Sequence, residues 1–166
     1  MDVVISFVLV PEPTSIMKRE LLWYPVFGWY ALLAKNIPID RGGTTKTVRK
    51  MLAVAKQRAD EGRQVMIFPE GTRRAPGAKP SYKPGVFGLY DKLGVPLVPV
   101  ATNSGLCWHR GFRVQPGTIV YEALPAIEPG LDRKTLMARL EDEMEAASMR
   151  LLDEGLAVQG RSRADL

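Results

Sequence analysis

The sequence predicts an α/β fold with a mostly parallel central sheet covered by helices on both faces. Short apolar runs rich in β-formers, such as Val65-Met66-Ile67-Phe68, alternate along the chain with stretches of helical period. Proline and glycine, 13 and 15 residues, punctuate the borders between them. The 166 residues, 46% hydrophobic and 25% charged, have a globular composition and enough length for a substantial core. One domain is expected over residues 1–155, with residues 156–166 as a frayed tail.

The elements follow in order. Asp2 precedes Val3-Val4-Ile5-Ser6-Phe7-Val8-Leu9-Val10, whose β-branched content favours a strand, although Asp2 also suits the start of a helix. Ser15 to Arg19 reads as a short strand. Glu20 to Lys35 reads as an aromatic-rich helical stretch, broken or bent near Pro25 and Gly28. Ile37 to Arg41 is another short strand, turned by Gly42-Gly43. Val48, Leu52, Ala55 and Ala59 repeat at helical spacing from Thr45 to Glu61, and Gly62 stops that helix.

The strand Gln64 to Phe68 comes next, and Arg73 to Pro84 is a polar, basic, exposed loop. Val86 to Leu93 is a short helix ended by Gly94. Val95 to Thr102 is apolar, but Pro96 and Pro99 argue against a regular strand throughout. Gly117 to Leu124 alternates as a strand. Asp132 caps a long amphipathic helix with Leu136, Leu140, Met144, Ala147 and Leu151 on one face, ended by Gly155.

Composition excludes several functions. The one cysteine, Cys107, forbids an internal disulfide, and the one histidine, His109, forbids any site needing two. No carboxylates cluster at metal-ligand spacing, so no metal is expected. Ser104 lacks the surroundings of a nucleophile elbow. The net charge is +5, with Lys and Arg concentrated before residue 84. Anions should therefore be attracted: phosphorylated small molecules, an anionic bilayer or nucleic acid. Nucleic acid is set aside, because Lys46, Arg49, Lys50, Lys56 and Arg58 come with no recognised module or base-stacking aromatics.

No apolar run reaches the ~18–20 residues that span a bilayer. The longest uncharged run, Leu21 to Ala34, has fourteen residues and holds Trp23, Tyr24, Trp29 and Tyr30. Such a run is usually a buried core helix, and a membrane-surface segment is the lesser reading. The N-terminus lacks the basic region of a signal peptide.

The segment Phe68-Pro69-Glu70-Gly71-Thr72-Arg73 ends a strand abruptly. Pro69 cannot donate to a sheet ladder, and Gly71 permits a tight turn or close approach to a ligand. Glu70 and Arg73 then stand at a strand's carboxyl end, where open α/β sheets place ligands. A solvated turn with a salt bridge and a phosphate site both fit these residues.

Together, Ile37-Pro38-Ile39-Asp40-Arg41, Phe68 to Arg73, Lys83-Pro84-Gly85 and Val95 to Val100 resemble the glycerolipid acyltransferase family, in particular bacterial 1-acylglycerol-3-phosphate (lysophosphatidate) acyltransferases. The resemblance covers residues 2 to 155. It implies transfer of a fatty acyl group from acyl-CoA or acyl carrier protein to lysophosphatidate, giving phosphatidate. It needs no cofactor. The family's motifs place the acceptor's glycerol phosphate at Arg41, Glu70, Gly71, Thr72 and Arg73. Guanidinium forks suit phosphate oxygens, and Lys83 adds a further charge. The family also implies peripheral association with the cytoplasmic face of the inner membrane.

One departure matters. The family's catalytic motif is His, four residues, then Asp, with His as general base and Asp orienting it. Asp2 matches that Asp, and the matching His would precede Met1. Three readings of this gap stand: a fragment or truncated gene product, an acyltransferase-like protein without catalysis, or rescue by His109. The last is disfavoured, since Val114 stands where its Asp partner would follow. The polypeptide as given is expected to be inactive.

Overall fold

The computed structural model describes residues 5, 8–40, 45–72, 78, 80–108 and 114–165. The chain packs as two compact units, Met1–Pro69 with Pro84–Leu93, and Glu70–Lys83 with Gly94–Leu166.

In the first unit, strands β1 (Pro13–Lys18), β2 (Ile37–Ile39) and β3 (Gln64–Met66) form a parallel sheet in the order β2-β1-β3. Ile16 faces Ile37 across one pair, and Thr14 faces Val65 across the other. Parallel neighbours need crossover connections. A 3-10 turn (Arg19–Trp23) and helix α1 (Pro25–Leu33) lead from β1 to β2, and helix α2 (Thr45–Asp60) leads on to β3. Helix α3 (Gly85–Leu93) completes the unit and packs on α2. The core joins Ile37 with Met51, Ala55 and Leu89, and Ile16, Val65 and Ile67 pack against it. This is the α/β arrangement expected, a parallel sheet flanked by helices.

The second unit is built on helix α5 (Arg133–Val158). Asp132 caps it as expected, its Oδ1 accepting from Lys134 N–H at 2.9 Å and Thr135 N–H at 3.1 Å. An antiparallel pair, β4 (Val100–Thr102) and β5 (Tyr121–Ala123), and the short helix α4 (Ser104–Cys107) pack against it. Leu106 and Cys107 meet Leu152 and Leu156, while Ala101 meets Ala147 and Leu151.

At Ile5, Val8 and Leu9, where the sequence leaves strand and helix both open, the chain is helical. Several expectations are corrected. The strand expected to reach Phe68 ends at Met66, and Phe68 is exposed rather than buried. Only Val100–Thr102 of the Val95 run joins a ladder, although Leu97 makes a lone antiparallel bridge to Ile127. The later strand shortens from Gly117–Leu124 to Tyr121–Ala123.

Gly155 does not stop its helix. It lies inside α5, where an added Cβ would stand 2.6 Å from Leu106 Cδ1, so glycine serves close packing. Residues 156–158, expected in a frayed tail, are helical, and Leu156 is buried. The helical stretch is broken near Pro25, as expected, and Gly28 lies inside α1. The break falls at Tyr24, and Pro25 begins α1, where a missing N–H costs nothing.

Candidate functional site

The motif segment begins where β3 runs out. Past Met66 the chain continues through Ile67 and Phe68, and Pro69 and Glu70 make the turn. Gly71 carries φ +66°, the left-handed region that favours glycine. Its role is therefore conformational: it re-aims the chain directly after Glu70. Thr72 is exposed.

Gly71 and Lys83 come together, a Cβ at Gly71 standing 3.7 Å from Lys83 Cγ. The Lys83 stem thus lies along the turn, and its residue is exposed. Beside it, the half-buried Tyr82 donates its hydroxyl to Glu145 Oε1 at 2.9 Å. Burial, that hydrogen bond and the charges of Glu145, Glu70 and Glu141 all push the Tyr82 phenol above its usual range. Tyr82 therefore stays a neutral donor, and Glu70 lies close enough to act on it electrostatically.

Of the residues singled out from sequence, Glu70, Gly71, Thr72 and Lys83 fall in this one stretch of the second unit. Asp2, Arg41 and Arg73 lie outside the described residues, as does His109. Tyr82 and Glu145 were not anticipated. Tyr82 stands next to Lys83 in a loop of glycine, proline and cations, but its partner is 63 positions away and sequence offers no pointer to it.

Two surface hollows of the second unit, about 440 and 210 Å³, involve none of these residues. The larger lies beside Glu122, Glu143 and Arg150, the smaller beside Asn103, Gly117 and Gln159. Among the described residues no group of three or more His, Cys, Asp or Glu is placed to hold a metal ion, and no helix is long and apolar enough to cross a membrane.

The chain thus passes from β3 into the Pro69-Glu70-Gly71-Thr72 turn. Residues 1–103 match the family model described as Acyltransferase, and the chain belongs to that family. It is 34% identical over 152 residues to the 1-acyl-sn-glycerol-3-phosphate acyltransferase of Pseudomonas aeruginosa, covering 90% of this chain and 59% of that protein. The enzyme of the same name from Haemophilus influenzae is 36% identical over 103 residues, 61% of this chain and 42% of that protein. The chain thus spans about half the length of these relatives. The crystal structure of the 1-acyl-sn-glycerophosphate (LPA) acyltransferase PlsC from Thermotoga maritima superposes with a TM-score of 0.68 at 23% identity, covering 86% of this chain and 58% of that one. That likeness supports the fold.

Proposed function

We propose that this chain is the acceptor-binding part of a 1-acylglycerol-3-phosphate O-acyltransferase, acting on lysophosphatidate to give phosphatidate. The observation that carries this reading is the Phe68-Pro69-Glu70-Gly71-Thr72-Arg73 segment, whose backbone turns at Gly71 beside the Lys83 stem. Arg41, Arg73 and Lys83 supply the cations for the acceptor phosphate, and Glu70 and Thr72 bond its glycerol oxygens.

In the reaction, the free hydroxyl of lysophosphatidate attacks the thioester carbonyl of acyl-CoA or acyl carrier protein. The new ester bond forms, the carbon–sulfur bond breaks, and the thiol takes up the proton. The histidine of a His-x4-Asp pair removes the hydroxyl proton, and Asp2 is the residue that orients such a base. Within these 166 residues Asp2 is the part of that pair with a match. The setting is peripheral, at the cytoplasmic face of the inner membrane.

Binding of short-chain lysophosphatidate by calorimetry tests the acceptor site. Arg41→Glu and Arg73→Glu should each weaken it at least tenfold, with glycerol 3-phosphate competing. Unchanged affinity in both variants sinks the phosphate assignment. Catalysis is tested by extending the chain upstream with a His-bearing segment and following label from acyl-CoA into phosphatidate. A folded, extended protein that stays inert removes the enzymatic reading. What would remain is a lysolipid- or anionic-membrane-binding protein on this fold.

A further inference from the structure

The stretch Leu21 to Ala34 is not the buried core helix that its composition most readily suggests. In α1, Val26, Trp29 and Leu33 lie on one face at helical spacing and are 84%, 78% and 83% exposed. Trp23 and Tyr24, 83% and 64% exposed, stand directly before the helix. The residues of α1 that are buried are the smallest it has, Gly28 and Ala31. Gly28 packs so closely on the preceding 3-10 turn that a Cβ would overlap the Leu22 carbonyl.

The helix is therefore inverted in size, with small residues inward and large apolar ones outward. Packing within this unit does not account for that pattern, since a helix that served only the core would bury its tryptophan and leucine.

We propose that the face made by Trp23, Tyr24, Val26, Trp29 and Leu33 inserts into the interfacial layer of an anionic bilayer. Trp and Tyr have an apolar body and a polar tip, and they concentrate at the depth where acyl chains meet headgroups. Helix α1 contains no charged residue, so nothing on it opposes entry. Cations border the segment on both sides. Exposed Lys18, paired with Glu20 at 3.0 Å, precedes the 3-10 turn and exposed Arg19 begins it, while exposed Lys35, paired with Glu61 at 3.1 Å, follows α1. The whole unit, with eleven Lys and Arg against seven Asp and Glu, stands at +4. An apolar aromatic face with a cationic border is the complement of a negatively charged lipid surface.

This deepens the reading above by naming the element that meets the membrane, and it rests on exposure and charge rather than on the acceptor site. The test is cosedimentation of the full 166-residue chain with phosphatidylglycerol–phosphatidylethanolamine vesicles free of lysolipid. Alongside it, quenching of tryptophan fluorescence by brominated lipid is measured. We expect binding that weakens with salt, quenching at Trp23 and Trp29, and at least a tenfold loss in the Trp29→Glu/Leu33→Glu variant. Both positions are solvent-facing, so the variant should keep its circular dichroism and melting temperature, and Trp29→Ala/Leu33→Ala serves as a neutral check.

Vesicle binding by the Glu variant equal to that of the wild type overturns the proposal. So does a wild-type dimer in sedimentation velocity that the variant dissociates without any vesicle binding, since a second copy then covers the face. Short-chain lysophosphatidate binding in vesicle-free solution, measured on the same variant, should be unchanged. Losing one and keeping the other separates failure of this surface from failure of the acceptor site.

Discussion

The Tyr82 hydroxyl donates to Glu145 Oε1 at 2.9 Å, fastening the segment that carries Lys83 to the middle of α5. The bond is half-buried, and the acidic side chains around it make the phenolate unfavourable. Tyr82→Phe keeps the ring and removes the donor, leaving the Glu145 carboxylate short of a partner. We expect a loss of about 1–2 kcal/mol in urea unfolding. In an extended, active protein the KM for lysophosphatidate should rise with little change in kcat, because Lys83 loses its anchorage.

The same phenol sets an alkaline limit. Its folded pKa is raised above the unfolded value of about 10, so its contribution is complete below that pH and lost as pH rises beyond it. Unfolding midpoints measured at pH 8 and above pH 10 should fall more steeply for the wild type than for Tyr82→Phe. Equal slopes would mean that Tyr82 ionises as freely in the folded protein as in the unfolded chain.

Gly71 holds φ +66° where the chain turns after Glu70. Alanine meets no clash there, its Cβ being 3.7 Å from Lys83 Cγ, so the cost is backbone strain of about 1–2 kcal/mol. Asparagine tolerates this conformation better than alanine. Gly71→Asn should therefore retain more lysophosphatidate binding than Gly71→Ala, and Gly71→Val should retain least. A ranking by side-chain volume alone would show that space rather than backbone conformation governs the turn.

The periodic elements were legible because their signals are local. The spacing of Val48, Leu52 and Ala55 marks α2, Asp132 marks the start of α5, and the prolines at 96 and 99 mark an interrupted strand. The errors arose where one residue type serves two purposes. Gly155 reads as a helix stop but fills a close contact with Leu106. The aromatic run at Leu21 to Ala34 has the composition of a core helix, and only its inward-facing Gly28 and Ala31 show which side is buried. In the motif region, the turn at Gly71 was readable from residue type, whereas the Tyr82–Glu145 bond joins positions too distant for any local pattern to reveal.

Gly155 offers a test of that distinction. In an open helix, Gly→Ala stabilises by about 1 kcal/mol. Here the new methyl would meet Leu106 Cδ1 at 2.6 Å and Asn103 Nδ2 at 3.0 Å. Neither neighbour yields easily: Leu106 is in the core, and the buried Asn103 accepts from Val120 N–H at 2.8 Å and donates to Thr118 O at 3.4 Å. Gly155→Ala should destabilise by about 1–3 kcal/mol. A stabilised variant would show that α5 and α4 separate at little cost.

Arg63 joins three parts of the first unit just before β3. Its Nη2 donates to Ala34 O at 2.9 Å and Pro13 O at 3.2 Å, its Nε to Thr14 Oγ1 at 2.8 Å, and its Nη1 pairs with Glu12. The side chain is 12% exposed, so water replaces few of these bonds. The end of α1 is thereby held to the start of β1, which fixes the segment bearing Trp29 and Leu33. Lysine keeps the charge but cannot present a planar fork to these acceptors. Arg63→Ala should cost about 2–4 kcal/mol in chemical unfolding, and Arg63→Lys should recover less than half of that. Hydrogen exchange should quicken at the C-terminal end of α1 and in β1 before it does in α5. If Arg63→Lys is as stable as the wild type, the net charge matters at this position and the fork geometry does not.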